Sequence, residues 1–180
     1  VATVSDQERL LGLCRERGLW LLADEVYERI YFQARVAPSI LRLATRDDAV
    51  IVTQSFSKSY CMTGWRLGWG VSRSDICDKA ADLNEFIVSH APAMVQKAGE
   101  VALREGEKEV GPMVAELEGK VKFCRDALSQ VEGIDVPEPE GALRGRADRP
   151  GLSILFQLLQ LARDALCGGL RLFQHTVQRD

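Results

Sequence analysis

Ser55-Phe56-Ser57-Lys58, followed four residues later by Thr63-Gly64-Trp65-Arg66-Leu67-Gly68, is the stretch on which the fold turns. It sets one lysine among small hydroxyls and one arginine between two nearby glycines. Directly upstream, Ala49 to Gln54 (Ala-Val-Ile-Val-Thr-Gln) is a short apolar run rich in β-branched residues, and it reads as a buried strand. Ser55 therefore stands at a strand's carboxyl end. Leu67 to Ser72 reads as a further strand, opened by Gly68 and Gly70.

Toward the N-terminus the arrangement recurs. Leu19 to Ala23 is apolar and bounded by Gly18 and Asp24, which predicts a second buried strand. Asp24-Glu25-Val26-Tyr27 follows at its carboxyl end. Ligands of open α/β sheets bind outside the carboxyl ends of strands, so two polar clusters far apart in sequence can face one crevice. Ser5-Asp6-Gln7-Glu8 reads as a capping box, a hydroxyl answered by a carboxylate three residues on. It predicts a helix from Asp6 to Arg17, ended by Gly18. Tyr27 to Leu43 reads as a helical turn and loop, punctuated by Pro38 and Ser39.

Beyond Ser74 the apolar spacing becomes helical. Three helices are predicted, over Ser74 to Ser89, Pro92 to Arg104 and about Glu107 to Val131. Pro92 suits a first turn, and Gly133 a stop before the rigid connector Pro137-Glu138-Pro139-Glu140-Gly141. A helix from Ser153 to Leu166 follows, closed by Gly168-Gly169. A helix, buried strands and then helices describe an α/β layer with a smaller appendage.

The 180 residues suffice for one domain or a domain and part of another, with a sizeable core. A net charge of -3 without a basic cluster argues against nucleic acid as a partner. The five cysteines are scattered and odd in number, and only two histidines accompany them. That pattern suits reduced thiols of a cytoplasmic protein rather than a metal site or a disulfide framework. No apolar run approaches a membrane span.

The residue types fit the needs of a phosphorylated pyridine aldehyde. Lys58 offers an amine for a Schiff base. Asp24 offers an anion for the ring nitrogen and Tyr27 a donor for the ring oxygen. Arg66 and Ser55 offer a guanidinium fork and a hydroxyl for the phosphate. Each residue also suits a plainer place. Asp24 fits a turn or helix N-cap, Tyr27 half-buried packing, and Lys58 a solvated loop. Arg66 could stack on Trp65, and Glu25 suits a surface or capping charge.

Spacing and identity together resemble the class I (class I/II) aminotransferases, pyridoxal-phosphate enzymes of fold type I. The matching pattern is Asp24-x-x-Tyr27, then Ser55-x-Ser57-Lys58, then Gly64-x-Arg66-x-Gly68. Ser89-His90-Ala91-Pro92-Ala93-Met94-Val95-Gln96 also looks like the family's helix-opening segment after the lysine. The resemblance runs from residue 1 to about Ala142. It implies pyridoxal 5'-phosphate as cofactor, with Lys58 as the Schiff-base lysine and proton shuttle. It further implies Asp24 on the ring nitrogen, Tyr27 on the ring oxygen, and Ser55, Ser57 and Arg66 around the phosphate.

The implied reaction moves an amino group from an amino acid to a 2-oxo acid, in a homodimer. A β-eliminating lyase or ring-closing synthase on the same fold would use the same residues, and an inactive truncated product would retain them. The resemblance implies a partial fold type I chain: residues 1–105 from the large domain, 106–131 an interdomain helix, and 132–180 a truncated or aberrant small α+β domain. After Ala142 the sequence departs from the family pattern, so the tail is expected to be out of frame or an alternative ending. Arg171 is a candidate for the substrate-carboxylate arginine. A sheet lacking its partner strands should expose edges and apolar faces and dissolve poorly.

Overall fold

The structure, a computed structural model, describes residues 1–130, 136 and 138–141. The expected helix at 153–166, the out-of-frame tail and Arg171 lie outside the described residues.

Helix α1 spans Val4–Arg17 and starts earlier than the sequence suggests. Thr3, not Ser5, is the N-cap: its hydroxyl accepts from the Asp6 N–H while the Asp6 carboxylate takes the Thr3 N–H at 3.0 Å. Ser5-Glu8 and Thr3-Asp6 are competing boxes with the same spacing. Near the start of the helix Gln7 Nε2 donates to the Pro38 carbonyl at 2.9 Å. Gly18 closes the helix in the left-handed conformation, φ 61°, as predicted.

Three strands follow: β1 (Leu21–Asp24), β2 (Val50–Ser55) and β3 (Gly68–Val71). Their order is β1-β2-β3, with β1 parallel and β3 antiparallel to β2. The pairs Leu21–Val50 and Ala23–Val52 share one face. There Val50 and Val52 are buried with Leu11 and Ile40, while Leu21, Ala23, Leu43 and Ala44 pack around them.

The expectation of a buried strand over Leu19 to Ala23 is met in part: the strand is Leu21–Asp24, and only the face of Leu21 and Ala23 packs on the core. Leu22, on the opposite face, is 66% exposed, and Leu19 and Trp20 precede the strand as half-exposed side chains. A continuous apolar run shows that both faces suit burial. It does not ensure that anything covers them.

The short helix α2 (Phe56–Ser59) leaves β2 directly. Helices α3 (Ser74–Ile87), α4 (Ala93–Glu105) and α5 (Glu107–Leu128) follow near their predicted positions, with Pro92 as the N-cap of α4 and Pro112 within the opening turns of α5. Helix α3 has no buried residue, and Phe86 near its end is 89% exposed. No helix among the described residues is long and apolar enough to cross a membrane.

Asp48 anchors α1 to the entry of β2. Its carboxylate accepts from Arg15 Nε at 2.7 Å and Nη2 at 2.6 Å, and from the Thr45 N–H at 2.6 Å. The Arg15 bonds and those of Thr45 hold the carboxyl well below the ordinary aspartate value. A depressed folded value means that the unfolded chain binds the proton more readily. The stabilisation is complete above the unfolded value near ~4 and falls away as the pH drops below it. Asp48→Asn is expected to lower the urea unfolding free energy at pH 7 by roughly 1–2 kcal/mol, a range that allows for the half-exposed Arg15. The variant's midpoint should converge on the wild type's in acid.

Candidate active site

Because β1 and β2 run parallel, their last residues, Asp24 and Ser55, emerge at the same end of the sheet. Asp24 pairs with Thr53, and Ser55 follows Thr53 by two residues. All three therefore stand on the face opposite the Val50–Val52 core. Asp24 Oδ1 accepts from the Val26 N–H at 3.3 Å, a local turn that swings the chain out of β1 toward Tyr27. Tyr27 is 46% exposed, and its ring lies under the Lys58 ammonium, with Nζ 5.4 Å from the ring centroid. Lys58, half-buried in α2, thus meets the β1 segment through an attraction to the ring face. The two polar clusters converge at one sheet end, as the strand-end argument predicts.

Ser55 is the N-cap of α2. Its hydroxyl accepts from the Ser57 N–H at 3.1 Å and donates to the Leu67 carbonyl at 3.3 Å. The Phe56 N–H joins the same carbonyl at 3.2 Å. Arg66, one residue earlier, is exposed and left-handed, φ 54° and ψ 49°. Its Nη1 donates to the Thr63 carbonyl at 3.0 Å, so it is held by this carbonyl rather than by stacking on Trp65. The guanidinium that does stack is Arg73, 5.1 Å from the Trp20 ring. Ser57 is half-buried, and its carbonyl accepts from the Thr63 hydroxyl at 2.9 Å.

Three further residues bear on the site, and nothing in their spacing singled them out. Glu25 takes the capping place of its two expected ones: it is half-buried, with Oε1 accepting at 2.9 Å from the N–H of Ile40, the first residue of the short helical turn Ile40–Arg42, and Oε2 buried without a partner among the described residues. Burial pushes the Glu28 carboxyl up from its usual value, against the lowering effect of its bond to Gln54; the Glu25 charge adds to the rise. Thr63 links Ser57 to Arg66. Its only sequence signal is a hydroxyl residue before Gly64, in a pattern that turns share.

Two clefts among the described residues lie elsewhere. One, of about 240 Å³, is lined by Arg29, Arg35, Glu107 and the apolar side of α5, and the other runs between α1 and Pro38. At the Asp24–Lys58 end of the sheet Asp24, Tyr27 and Arg66 are exposed, while Ser55 and Lys58 are half-buried. No group of His, Cys, Asp or Glu among the described residues is placed to hold a metal ion.

A family model described as aminotransferase class I and II matches residues 1–144. The chain belongs to this family. Aspartate aminotransferase of Pyrococcus horikoshii is 32% identical over 135 residues, which is 74% of this chain and 34% of that protein. The crystal structure of an aromatic aminotransferase from Pyrococcus horikoshii OT3 matches with a TM-score of 0.72 at 32% identity, over 79% of this chain and 38% of that one. Aspartate aminotransferase from Thermotoga maritima also gives 0.72, at 25% identity, over 89% of this chain and 42% of that one. The described α/β arrangement is thus part of the aspartate-aminotransferase fold. The chain spans about a third of the length of the curated relatives it matches.

Proposed function

We propose that this chain is the lysine-bearing part of a pyridoxal-5'-phosphate-dependent aminotransferase that moves an amino group between an amino acid and a 2-oxo acid. The observation that carries this proposal is the Lys58 ammonium over the Tyr27 ring, at the sheet end where Asp24 and Ser55 share a face. The donor set fits the cofactor: a carboxylate and a phenol at the end of β1, hydroxyls and an amine at the end of β2, and a guanidinium on the adjoining turn. When bound, pyridoxal phosphate supplies an electron sink that renders the substrate Cα–H acidic.

The remaining work falls to side chains. Asp24 would keep the ring nitrogen protonated through a charge-assisted hydrogen bond. The Tyr27 hydroxyl would donate to the ring oxygen. Arg66, Ser55 and Ser57 would hold the phosphate, for which the Ser55 hydrogen would turn from the Leu67 carbonyl. Lys58 would supply the amine for the aldehyde and act as the general acid and base for the Cα proton.

The relatives' names differ in substrate, aspartate in one and aromatic amino acids in another, so no particular amino acid is assigned. The reaction is assigned to the complete enzyme, a homodimer, because the site is open in this chain. The division into 1–105, 106–131 and 132–180 belongs to the same proposal. So does a cytoplasmic home, supported by the free Cys14, Cys61, Cys77 and Cys124.

Incubation with pyridoxal phosphate, borohydride reduction and peptide mapping test the proposal. The pyridoxyl mass is expected on Lys58 at concentrations that leave the exposed Lys97 unlabelled. Equal labelling of both lysines, or none on Lys58 in a folded sample, overturns it. In the complete enzyme, a keto acid and a new amino acid as products support transamination, whereas ammonia released without an acceptor identifies a lyase.

A further inference from the structure

Thr63 makes two hydrogen bonds that point to the two ends of its loop. Its hydroxyl donates to the Ser57 carbonyl at 2.9 Å, next to Lys58. Its own carbonyl accepts from Arg66 Nη1 at 3.0 Å. Between Lys58 and Leu67 two non-glycine residues, Cys61 (φ 53°) and Arg66 (φ 54°), adopt the left-handed conformation. Side chains rarely adopt that conformation unless surrounding contacts enforce it.

On its downstream side Arg66 is enforced by the Leu67 carbonyl, which takes both the Phe56 N–H and the Ser55 hydroxyl. On its upstream side the Cys61 N–H donates to the Lys58 carbonyl and the Met62 N–H to the Phe56 carbonyl, each at 3.3 Å, and the Thr63 hydroxyl adds the one side-chain hydrogen bond back to the lysine segment among the described residues. The Thr63 side chain is exposed, so it adds little buried packing, and its contribution rests on these bonds.

We propose that Thr63 is a positioning residue that sets the Lys58 amine and the Arg66 guanidinium relative to each other. This rests on the assignment of those two groups to the aldehyde and the phosphate of one cofactor. Without the hydroxyl bond the loop keeps its downstream anchor and the backbone bonds of Cys61 and Met62, but residues 63–66 lose their side-chain tie to the lysine segment. Lys58 stays in place at the Tyr27 ring, while Arg66 samples other conformations. The loss should therefore fall on recognition of the phosphate and spare reaction of the aldehyde.

The test uses the full chain with Thr63→Val, which keeps the branched shape without the hydroxyl, and Thr63→Ser, which keeps the hydroxyl. Helical circular dichroism confirms that both variants fold. Two readouts are compared. The first needs no cofactor: limited trypsin cleavage after Arg66, normalised to cleavage after Arg17 in the same digest. Thr63→Val is expected to speed it about tenfold, and Thr63→Ser to leave it near wild type. The second is borohydride-fixed labelling of Lys58 by pyridoxal phosphate relative to unphosphorylated pyridoxal. The advantage of the phosphorylated aldehyde should fall about tenfold in Thr63→Val and return in Thr63→Ser, with pyridoxal labelling unchanged.

Wild-type cleavage and wild-type phosphate advantage in Thr63→Val overturn the proposal, as does failure of Thr63→Ser to restore either readout. If neither aldehyde labels wild-type Lys58, the cofactor assignment falls on its own, and the trypsin comparison still decides whether Thr63 holds the loop.

Discussion

Lys58→Ala abolishes the borohydride-fixed pyridoxyl label at this site and, in the complete enzyme, lowers amino-group transfer by at least ~10³-fold. Two losses combine in that estimate. The variant has no amine to bond the aldehyde, and no group at that position to carry the Cα proton, a contribution worth roughly 10²–10⁴ by itself. Lys58→Arg separates chemistry from packing. Arginine retains a cation for the Tyr27 ring, whose attraction is worth about 0.5–1 kcal/mol at such a half-open site. Its guanidinium stays protonated and is not a nucleophile. Lys58→Arg should therefore match wild type in urea midpoint while being as inactive as Lys58→Ala. Activity above a hundredth of wild type in Lys58→Arg would place the reacting amine elsewhere.

Gly68→Ala is expected to cost roughly 2–3 kcal/mol of stability, at the upper end for overpacking. A Cβ at Gly68 would lie 2.6 Å from the Gln54 carbonyl oxygen and 3.6 Å from the Ser55 Cα, and both obstacles are backbone. A side chain can turn aside, but a paired strand cannot. Gly68 is the residue paired with Ser55, so the strands must part where the Leu67 carbonyl is held. The variant should lose stability and phosphate recognition together. Gly64→Ala is the control: nothing lies within 4 Å of a Cβ there, and its stability should change by less than about 0.5 kcal/mol. Urea titration of the two variants checks both values, and equal midpoints would rule out the close approach of β3 to β2.

Much of the architecture is legible in local sequence because it is local physics. The β-branched run of β2, the helical spacing of α3 to α5, Pro92 before α4 and Gly18 after α1 act within a few residues, and the elements lie where these signals put them. Boundaries are less legible where two signals compete, as Thr3-Asp6 and Ser5-Glu8 do at the start of α1. The apolar run of β1 misleads about burial for a different reason. Hydrophobicity is a property of the residue, whereas burial also needs a neighbour, and among the described residues Leu22 stays 66% exposed.

Which chemical groups stand at which strand ends follows from the amino-acid order alone. An acid and a phenol close β1, and hydroxyls and an amine follow β2, because strand termini are set by short-range pattern. How those groups relate in space is set by the folded arrangement. The parallel register put Asp24 and Ser55 on one face, and Lys58 found the Tyr27 ring. The Ser55 hydroxyl went to a carbonyl rather than to solvent, and Thr63 became the tie between the lysine turn and a left-handed Arg66. These are contacts between segments many residues apart. Their free energy depends on distances that no local spacing encodes and that exist only once the strands have paired.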